Sequence, residues 1–416
     1  MRILYLAHRV PFPANKGERI RALRLIRHLA QRHEVWCACF RDDPTERRAE
    51  ELETIVHRLG VVDLPRRGAL LRAAKSALTG ATLTEGFYSH PAMTTLVNAW
   101  MNQTRFDAVV AFSSSTAGLA LSVPAARRIL DLCDIDSAKW REYADRSAWP
   151  ASAVYAMEAR RLAVKELSWI DAFDVSVVAC RRELEAISDA PLRRKARIVR
   201  NGVDLPSEIG ETSGASGPPV IIFVGDLSYR PNVEGLTWFI EHCWPGIVTR
   251  SPHAELHVVG RSPTRRIARL AGTHGVRVFA DVPDVAPFLR TAHVSIAPIH
   301  VARGVQNKVL EALAWAKPVV MTSAVSRGLD AGLSEPWITA DDAGAFIDGV
   351  TRLLADADLR RAIGGAARSF ARLEYAWGPQ LAAFERLVTG ERTVARPARL
   401  RSAATSELSG TFTSGE

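Results

Sequence analysis

The 416-residue sequence lacks several features that mark particular classes of protein. No run approaches the roughly 20 consecutive apolar residues that a membrane-spanning helix needs, and a strand-like segment follows Met1 in place of a signal sequence. The five cysteines are scattered and include no C-x-x-C pair, which indicates buried reduced thiols. These absences predict a globular, cytoplasmic protein.

Lysine is also scarce, since only seven of the 54 basic residues are Lys. The net charge is nevertheless +9, so the surface is expected to attract phosphates, acidic lipids or nucleic acid. No basic motif is interleaved with aromatic residues, which makes nucleic acid the least favoured of these partners. A hydrophobic content of 47% supports two or three domains with proper cores.

Short β-branched runs alternate with amphipathic helical stretches along the first half of the chain. The strand-like runs are I-L-Y-L-A, V-W-C-A-C-F, A-V-V-A-F, I-L-D-L-C and V-S-V-V-A. A helix is predicted after each, including one over 45–59. This alternation predicts an α/β domain with a doubly wound parallel sheet.

A Gly, Ser and Pro-rich stretch at 206–219 predicts a linker between a first domain (1–205) and a second (220–390). The second βα series contains V-I-I-F-V-G-D, E-L-H-V-V-G, V-R-V-F-A, V-S-I-A-P-I and P-V-V-M-T. The terminal helix of the second domain can pack back on the first domain. Residues 391–416 are predicted to be disordered. Two Rossmann-like halves of this kind bind ligands in the cleft between them, at the carboxyl ends of their strands.

One carboxylate, Glu311, lies inside the apolar helical run of R-G-V-Q-N-K-V-L-E-A-L-A-W-A-K-P-V-V (303–320). An unpaired buried carboxylate costs several kcal/mol, so Glu311 requires a partner. The helix follows a strand and a loop, which points its first N–H groups into the cleft as an anion site. Gly304 permits close backbone approach, Lys308 adds a cation, and Glu311 can accept hydrogen bonds from two vicinal hydroxyls.

Together these groups describe a site for a nucleoside diphosphate with its ribose. The alternative is an ordinary Lys308–Glu311 ion pair at i,i+3 on a solvated face. The apolar residues around the pair leave little solvated face, which favours the ligand.

Four segments, at 199–204, 223–239, 257–263 and 304–320, resemble the ordered motifs of glycosyltransferase family 4. This family has the GT-B fold of two facing Rossmann-like domains. In the first half H-R-V-P-F-P-A-N-K-G-E-R-I-R (8–21), G-F-Y-S-H-P (86–91) and D-L-C-D-I-D-S-A-K-W-R-E-Y-A (131–144) resemble the sugar transferases associated with PEP-CTERM/exosortase exopolysaccharide loci.

The resemblance implies transfer of a sugar from a nucleotide-diphosphate donor to an acceptor hydroxyl, with retention at the anomeric carbon and without a metal. It also implies a role in exopolysaccharide biosynthesis at the cytoplasmic face of the membrane, with a sugar or lipid-linked glycan as acceptor. No cofactor is expected beyond the nucleotide-sugar substrate.

The family's donor-site roles transfer to this chain residue by residue. Glu311 matches the second acid of the family's E-x7-E motif, which holds the donor ribose. The loop from Arg303 to Gln306 matches the segment whose amides meet the donor. The resemblance thus implies a donor site formed by Gly17, Gly225, Arg230, Arg261, Gly304, Val305, Gln306, Asn307 and Glu311.

The sequence departs from the family pattern at two places. Arg303 stands where the family has its first acid, and Arg230 is the only basic group of G-D-L-S-Y-R-P-N (225–232), where many members carry a cation pair. The donor phosphates must therefore be met by some of Arg230, Arg261, Arg303 and Lys308. Arg303 and Lys308 are accordingly expected to act on the leaving group.

Two positions in the first domain have open alternatives. Gly17 matches the family's glycine after the first strand, and the same N-K-G-E string is also a plain helix start with Asn15 as cap. Asp134 ends a strand at the cleft, where it either orients an acceptor hydroxyl as a catalytic residue or caps the helix that holds Ser137. The D-I-D string at 134–136 lies in the wrong half for a donor metal, so no metal site is predicted.

Two further alternatives concern the partners. The stretch 65–78 is basic and amphipathic, which is typical either of contact with an anionic membrane or of a solvated Arg face. An epimerase or a non-catalytic nucleotide-sugar-binding protein can share the same architecture, because fold alone does not settle activity.

The position of Arg303 generates the first prediction. Arg303→Ala is expected to lower kcat more than it raises KM, by ~10- to 1000-fold, because the charge that Arg303 meets grows toward the transition state. Arg303→Glu is expected to be worse than Ala, since it places a carboxylate beside the phosphates. Steady-state kinetics with the nucleotide-sugar donor measures both, and an Arg303→Glu variant that keeps its activity would show the family's ordinary sugar contact instead.

Overall fold

A computed structural model describes residues 1–14, 17–42, 50–209, 217–302, 304–332 and 335–391. These residues form two α/β domains, each built on a parallel sheet with helices on both faces. The predicted fold class is confirmed. In the described ranges no helix has the length and apolar content that crossing a membrane requires.

The first domain contains seven described strands in the order β3-β2-β1-β4-β5-β6-β7, all paired in parallel. They are β1 (Arg2–Ala7), β2 (Glu34–Arg41), β3 (Arg58–Asp63), β4 (Phe106–Phe112), β5 (Ala125–Cys133), β6 (Val175–Val178) and β7 (Ala196–Ile198). The helices are α1 (Gly17–Ala30), α2 (Glu50–Glu53), α3 (Arg66–Leu78), α4 (Leu83–Tyr88), α5 (Pro91–Met101), α6 (Ala117–Leu121), α7 (Asp136–Asp145), α8 (Ala151–Ala172), α9 (Arg181–Ala186) and α10 (Ala190–Arg193). A 3-10 turn, Ser114–Thr116, precedes α6.

The second domain contains six described strands in the order β10-β9-β8-β11-β12-β13, also parallel. They are β8 (Val220–Asp226), β9 (Glu255–Arg261), β10 (Val276–Ala280), β11 (Val294–Ala297), β12 (Val319–Met321) and β13 (Ile338–Thr339). The helices are α11 (Arg230–His242), α12 (Trp244–Arg250), α13 (Arg265–Leu270), α14 (Ala286–Thr291), α15 (Asn307–Ala314), α16 (Ser323–Ser326), α17 (Ala343–Ala355), α18 (Ala357–Tyr375) and α19 (Trp377–Thr389). Arg327–Leu329 is a 3-10 turn.

The helix predicted over 45–59 is wrong at its C-terminal end, and residues 43–49 lie outside the described part. The described helix covers only Glu50–Glu53, and Arg58–Asp63 forms β3. Six residues of β3 pair in register with Trp36–Arg41, so the sheet satisfies backbone groups that local periodicity assigns to a helix. The short strands β7 and β13 are absent from the sequence prediction for the same reason.

The chain crosses between the domains at two adjacent points. Val203 forms a bridge with Ala376, and its N–H donates to the Tyr375 carbonyl over 2.7 Å. Helix α19 then packs on the first domain, where Phe384 and Val388 join the core around β1 and α1. Residues 210–216 of the predicted linker and 392–416 of the predicted disordered tail lie outside the described ranges.

Glu385 fixes α19 against α1. Its carboxylate lies 2.8 Å from His28 Nε2, 3.2 Å from His33 Nε2 and 3.3 Å from Arg32 Nη1. Partial burial raises the pKa of Glu385, but the hydrogen bond and charge of His28, with the charges of Arg32 and His33, hold that pKa below its ordinary value. The terminal helix therefore ties the C-terminal end of the chain to the domain in which the chain began.

Candidate functional site

A cleft of about 790 Å³ lies between the two domains, at the carboxyl ends of their strands. Its walls combine the N-terminus of α1 and the end of β5 with the ends of β8 and β9 and the start of α15. Most of the residues that the sequence assigned to the donor and catalytic sites line it: Gly17, Asp134, Gly225, Arg261, Gly304, Val305, Gln306, Asn307, Lys308 and Glu311.

Two predicted residues do not belong to the described lining of this cleft. Arg230 is an exposed side chain that pairs with Glu234 over 2.6 Å, and it is not among the lining residues. Arg303 lies outside the described residues. The predicted roles of both remain predictions, and the described cations of the cleft wall are Lys308, Arg261 and Arg21.

The N-terminus of helix α15 lies at the cleft because the apolar face of the helix packs against the core of the second domain. Val309, Leu310 and Leu313 are buried against the core of the second domain, which directs the first turn outward. The side chain of the N-cap residue, Gln306, makes no capping hydrogen bond. The first N–H groups of this helix thus present their partial positive charge to the cleft.

Gly304 brings the loop before α15 into contact with the other domain. Its φ is +61°, a region that L-residues rarely adopt, and a Cβ there would lie 2.8 Å from Asp134 Oδ1. On the neighbouring wall a Cβ on Gly17 would lie 3.3 Å from Asn307 Nδ2. These two glycines let the walls approach each other closely, so that one small ligand can contact both domains.

Lys308 is held by a network that sequence reasoning missed. Its Nζ donates to Asn232 Oδ1 over 2.5 Å, and Asn232 Nδ2 in turn donates to the Asp226 carbonyl over 2.9 Å. The ammonium group also lies 5.2 Å from the centre of the Phe223 ring. Asn232 ends the string G-D-L-S-Y-R-P-N (225–232), in which the sequence indicated a donor-site role only for Gly225 and Arg230.

Burial lowers the pKa of Lys308 to about 7, against the opposing pull of the Asp226 and Glu311 carboxylates. An anion entering the cleft would restore the charged form. The ammonium group is therefore positioned to bind an anion and is not neutralised by a direct ion pair with Glu311.

Within the described part of the chain, Glu311 has no partner of the kind that its burial demands. No described residue donates a hydrogen bond to its carboxylate, and Lys308 reaches Asn232 instead, which excludes the simple i,i+3 pair. Burial raises the pKa of Glu311 to about 7, with further contributions from Asp204 and Asp284 that Lys308 opposes. A carboxylate in this state lacks the hydrogen-bond donors that a ribose diol would supply.

Arg261 lines the cleft with its charge already paired. Its Nη2 and Nε lie 2.9 and 3.1 Å from Asp226 Oδ2, and the other carboxylate oxygen accepts from Ser228. These contacts hold the pKa of Asp226 below its ordinary value although burial opposes them. Arg261 is thus a fixed cation at the rim, whereas Lys308 is the buried one.

Asp134 is not the N-cap of α7. That helix begins at Asp136 after Ile135, whose N–H donates to Glu183 Oε2 over 2.6 Å. The Ser137 N–H donates to Glu166 Oε1 over 3.1 Å. Two buried glutamates therefore satisfy the start of α7, and Asp134 projects to the cleft wall beside Gly304. The alternative helix cap of α1, Asn15, lies outside the described residues.

The described part of the chain contains no group of three or more His, Cys, Asp or Glu residues that could hold a metal ion. In the D-I-D string, Asp136 accepts a hydrogen bond from Ser114 Oγ over 2.5 Å.

Residues 218–356 match the family model described as Glycosyl transferases group 1. No curated protein matches the sequence. The sucrose-phosphate synthase of Thermosynechococcus elongatus is similar in structure, with a TM-score of 0.67, 16% identity, and coverage of 94% of this chain and 99% of that one. HepE from Anabaena, in complex with UDP and glucose, gives a TM-score of 0.63 with 14% identity over 94% of this chain and 100% of that one.

WaaG, a glycosyltransferase involved in lipopolysaccharide biosynthesis, gives a TM-score of 0.60 with 14% identity over 93% of this chain and 100% of that one. These likenesses span both domains and show the GT-B architecture. Together with the matched glycosyl transferases group 1 domain, they support a transferase.

The environment of Glu311 generates a second prediction. At pH 8 Glu311→Gln is expected to weaken binding of a nucleoside diphosphate by ~1 to 3 kcal/mol, because a charged acceptor for the ribose hydroxyls is lost. Those hydrogen bonds lower the pKa of the carboxyl on binding, so the advantage of the wild type should shrink as the pH falls below about 7.

Calorimetry with UDP, GDP and ADP identifies the nucleotide that binds most tightly and measures the difference between the two proteins. The 2′-deoxy form of that nucleotide is the control, and it should show a smaller difference. Equal affinity of wild type and variant for the ribonucleotide at pH 8 would remove Glu311 from the ribose site.

Proposed function

We propose that the protein is a glycosyltransferase that moves a sugar from a nucleotide-diphosphate sugar to an acceptor hydroxyl, with retention and without a metal or other cofactor. The observation that carries this proposal is the composition of one cleft. The start of α15, the buried ammonium of Lys308 and the buried carboxyl of Glu311 lie together on one wall, with Gly17 and Asp134 opposite.

The chemistry requires stabilisation of the negative charge that grows on the nucleoside diphosphate as its bond to the sugar breaks. Lys308 and the N–H groups of α15 are aimed at one region of the cleft and are fixed before the donor binds. Preorganised charges of this kind act strongly where water is excluded. Asp134 touches the loop of Gly304 from the other domain, which places a carboxylate where an acceptor hydroxyl would approach the donor sugar.

The similar structures support this assignment. HepE has been solved with UDP and glucose, and WaaG is a glycosyltransferase of lipopolysaccharide biosynthesis. Together with the motifs of the first domain, they favour a role in exopolysaccharide assembly of the PEP-CTERM/exosortase-associated type. The alternatives are an epimerase or a non-catalytic binding protein. Neither of them explains why Asp134 contacts the donor loop.

The third prediction separates these functions. Incubation with radiolabelled nucleotide sugars and bacterial membranes should move label to a membrane-extractable glycan, and the reaction should survive EDTA because protein cations take the role of a metal. The Lys308→Met variant, which keeps the size of the side chain but removes its charge, should abolish transfer. A change in the soluble sugar would indicate an epimerase, and binding without turnover would indicate a non-catalytic protein. Complete loss of transfer in EDTA with rescue by Mg²⁺ or Mn²⁺ would indicate a metal-dependent enzyme.

We further propose peripheral contact with an anionic membrane through α3. Leu70, Leu71 and Leu78 are 52%, 73% and 89% exposed, and Arg66, Arg67 and Lys75 are exposed on the same helix, which has no acidic residue. Exposed leucines beside cations fit the boundary between lipid headgroups and acyl chains. This contact would place the enzyme at the inner face of the membrane, where lipid-linked acceptors are found.

The fourth prediction tests this contact. The protein should sediment with phosphatidylglycerol vesicles and much less with phosphatidylcholine vesicles, and Leu71→Glu should release it. Leu373→Glu on α18 is the control, because Leu373 is also exposed (68%) but lies in the second domain. Equal sedimentation of the wild type and Leu71→Glu would leave α3 as an ordinary solvated helix.

A further inference from the structure

Three aromatic side chains form a cluster on α7 and α8 that neither the donor site nor the membrane contact uses. We call Trp140, Tyr143 and Tyr155 the aromatic patch. The ring centres of Trp140 and Tyr155 lie 5.3 Å apart, those of Trp140 and Tyr143 6.0 Å, and those of Tyr143 and Tyr155 6.1 Å. Trp140 packs against the core of the first domain, whereas Tyr143 is 38% exposed.

None of its three residues lines the cleft, but the aromatic patch lies beside it, since Tyr143 interacts with the lining residue Tyr229. Helix α7 starts two residues after Asp134, which lines the cleft beside Gly304. Arg182 connects the same helix to the donor loop, since its Nη2 lies 3.2 Å from Glu142 Oε1 and its Nη1 donates to the Ala302 carbonyl over 2.6 Å. Tyr143, the residue after Glu142, is therefore anchored close to the loop that leads into α15.

Tyr229 faces this region from the second domain. It is the N-cap residue of α11, lines the cleft and is 49% exposed. Burial raises the pKa of Tyr229, and the neighbouring Tyr143 and Asp134 raise it further while Lys139 opposes them. Aromatic side chains from both domains thus flank the space next to Asp134.

The helix that carries Trp140 and Tyr143 of the aromatic patch, α7, is fixed at its start by buried contacts. The buried carboxylates of Glu166 and Glu183 accept the N–H groups of Ser137 and Ile135 at the start of α7. Trp140 fixes the next turn in the core. A surface that is ordered before binding loses little entropy when a ligand arrives.

The chemistry of the patch fits a saccharide. A pyranose ring presents C–H groups on its face, which pack on an aromatic ring, and hydroxyls at its edge, which need hydrogen-bond partners. The hydroxyls of Tyr143, Tyr155 and Tyr229 make no hydrogen bond to any described residue, and no described carboxylate lies within 4 Å of Lys139 Nζ. An acyl chain would use none of these polar groups.

We infer that the aromatic patch, with Tyr229 and Lys139, is an acceptor subsite that holds a sugar ring of a glycan beside the hydroxyl that receives the donor sugar. The acceptor is then a saccharide chain and not a bare lipid alcohol. This inference rests on the proposed function and adds the residues that bind the second substrate.

Binding is tested on the full-length protein loaded with the nucleoside diphosphate that calorimetry finds to bind most tightly, by saturation-transfer NMR with methyl glycosides of glucose, galactose and mannose and of their disaccharides. At least one glycoside should bind saturably through the C–H protons of one ring face. Tyr143→Ala should weaken that binding by about three- to tenfold, the loss of one stacked ring, and Tyr143→Phe should retain most of it. Leu373→Ala is the control for removal of an exposed apolar side chain.

The affinity for that nucleoside diphosphate should be unchanged in Tyr143→Ala. If it falls as much as glycoside affinity, the patch serves donor binding or domain closure, and the inference is wrong. It is equally wrong if no glycoside binds the wild type, or if Tyr143→Ala leaves glycoside binding intact. Failure of the proposed function is distinguishable, because the wild type would then move no label from a nucleotide sugar to any glycan, whereas failure of this inference alone leaves that transfer by the wild type intact.

Discussion

The buried side chain of Arg21 joins the three parts of the molecule that define the cleft. It donates two hydrogen bonds to the Asp131 carboxylate at the end of β5, over 2.9 and 3.1 Å, and others to the Val199 carbonyl and to Asn201 Oδ1. Both charges of the ion pair are almost fully buried, and loss of one partner from such a pair costs about 3–5 kcal/mol. Helix α1, strand β5 and the segment leading to the second domain are thereby held in one arrangement. Gly17 lies one turn before Arg21, so its position opposite Asn307 follows from this arrangement.

On the opposite wall, burial acts on two groups of opposite charge. The pKa of Lys308 falls to about 7 and that of Glu311 rises to about 7, so both lie near the point where their charge is lost. Each would regain its charge in contact with a suitable ligand, an anion for Lys308 and hydroxyl donors for Glu311. A nucleoside diphosphate supplies both, which is why the proposed donor suits this cleft better than a simple anion or a neutral sugar. Burial of Lys308 and Glu311 therefore destabilises the ligand-free protein, and this cost is offset when the donor binds.

Much of the fold follows from local pattern. The β-branched runs of both halves predicted β1, β2, β4, β5, β6 and the strands β8 to β12, and the loop and helix start around Asn307 were placed correctly. The edge strands β3 and β13 escaped prediction because pairing with a neighbour, and not periodicity, decides their conformation. Likewise, Asn232 was not expected to hold Lys308, since no local rule connects residues 76 positions apart.

The sequence by itself determined that Gly304, Lys308 and Glu311 share a helix start at the carboxyl edge of a sheet, because strand, loop and helix are contiguous and helical spacing fixes the order of their side chains. Only the tertiary structure decided which cations line the cleft. Arg230 and Arg261 are equivalent candidates in the sequence, but Arg230 pairs with Glu234 at the surface while Asp226 holds Arg261 at the cleft wall. The same holds for Asp134 and Gly304, which lie 170 residues apart and touch only because two separately folded sheets meet at their carboxyl ends. Contacts between domains depend on packing over the whole chain, and no short stretch of sequence contains that information.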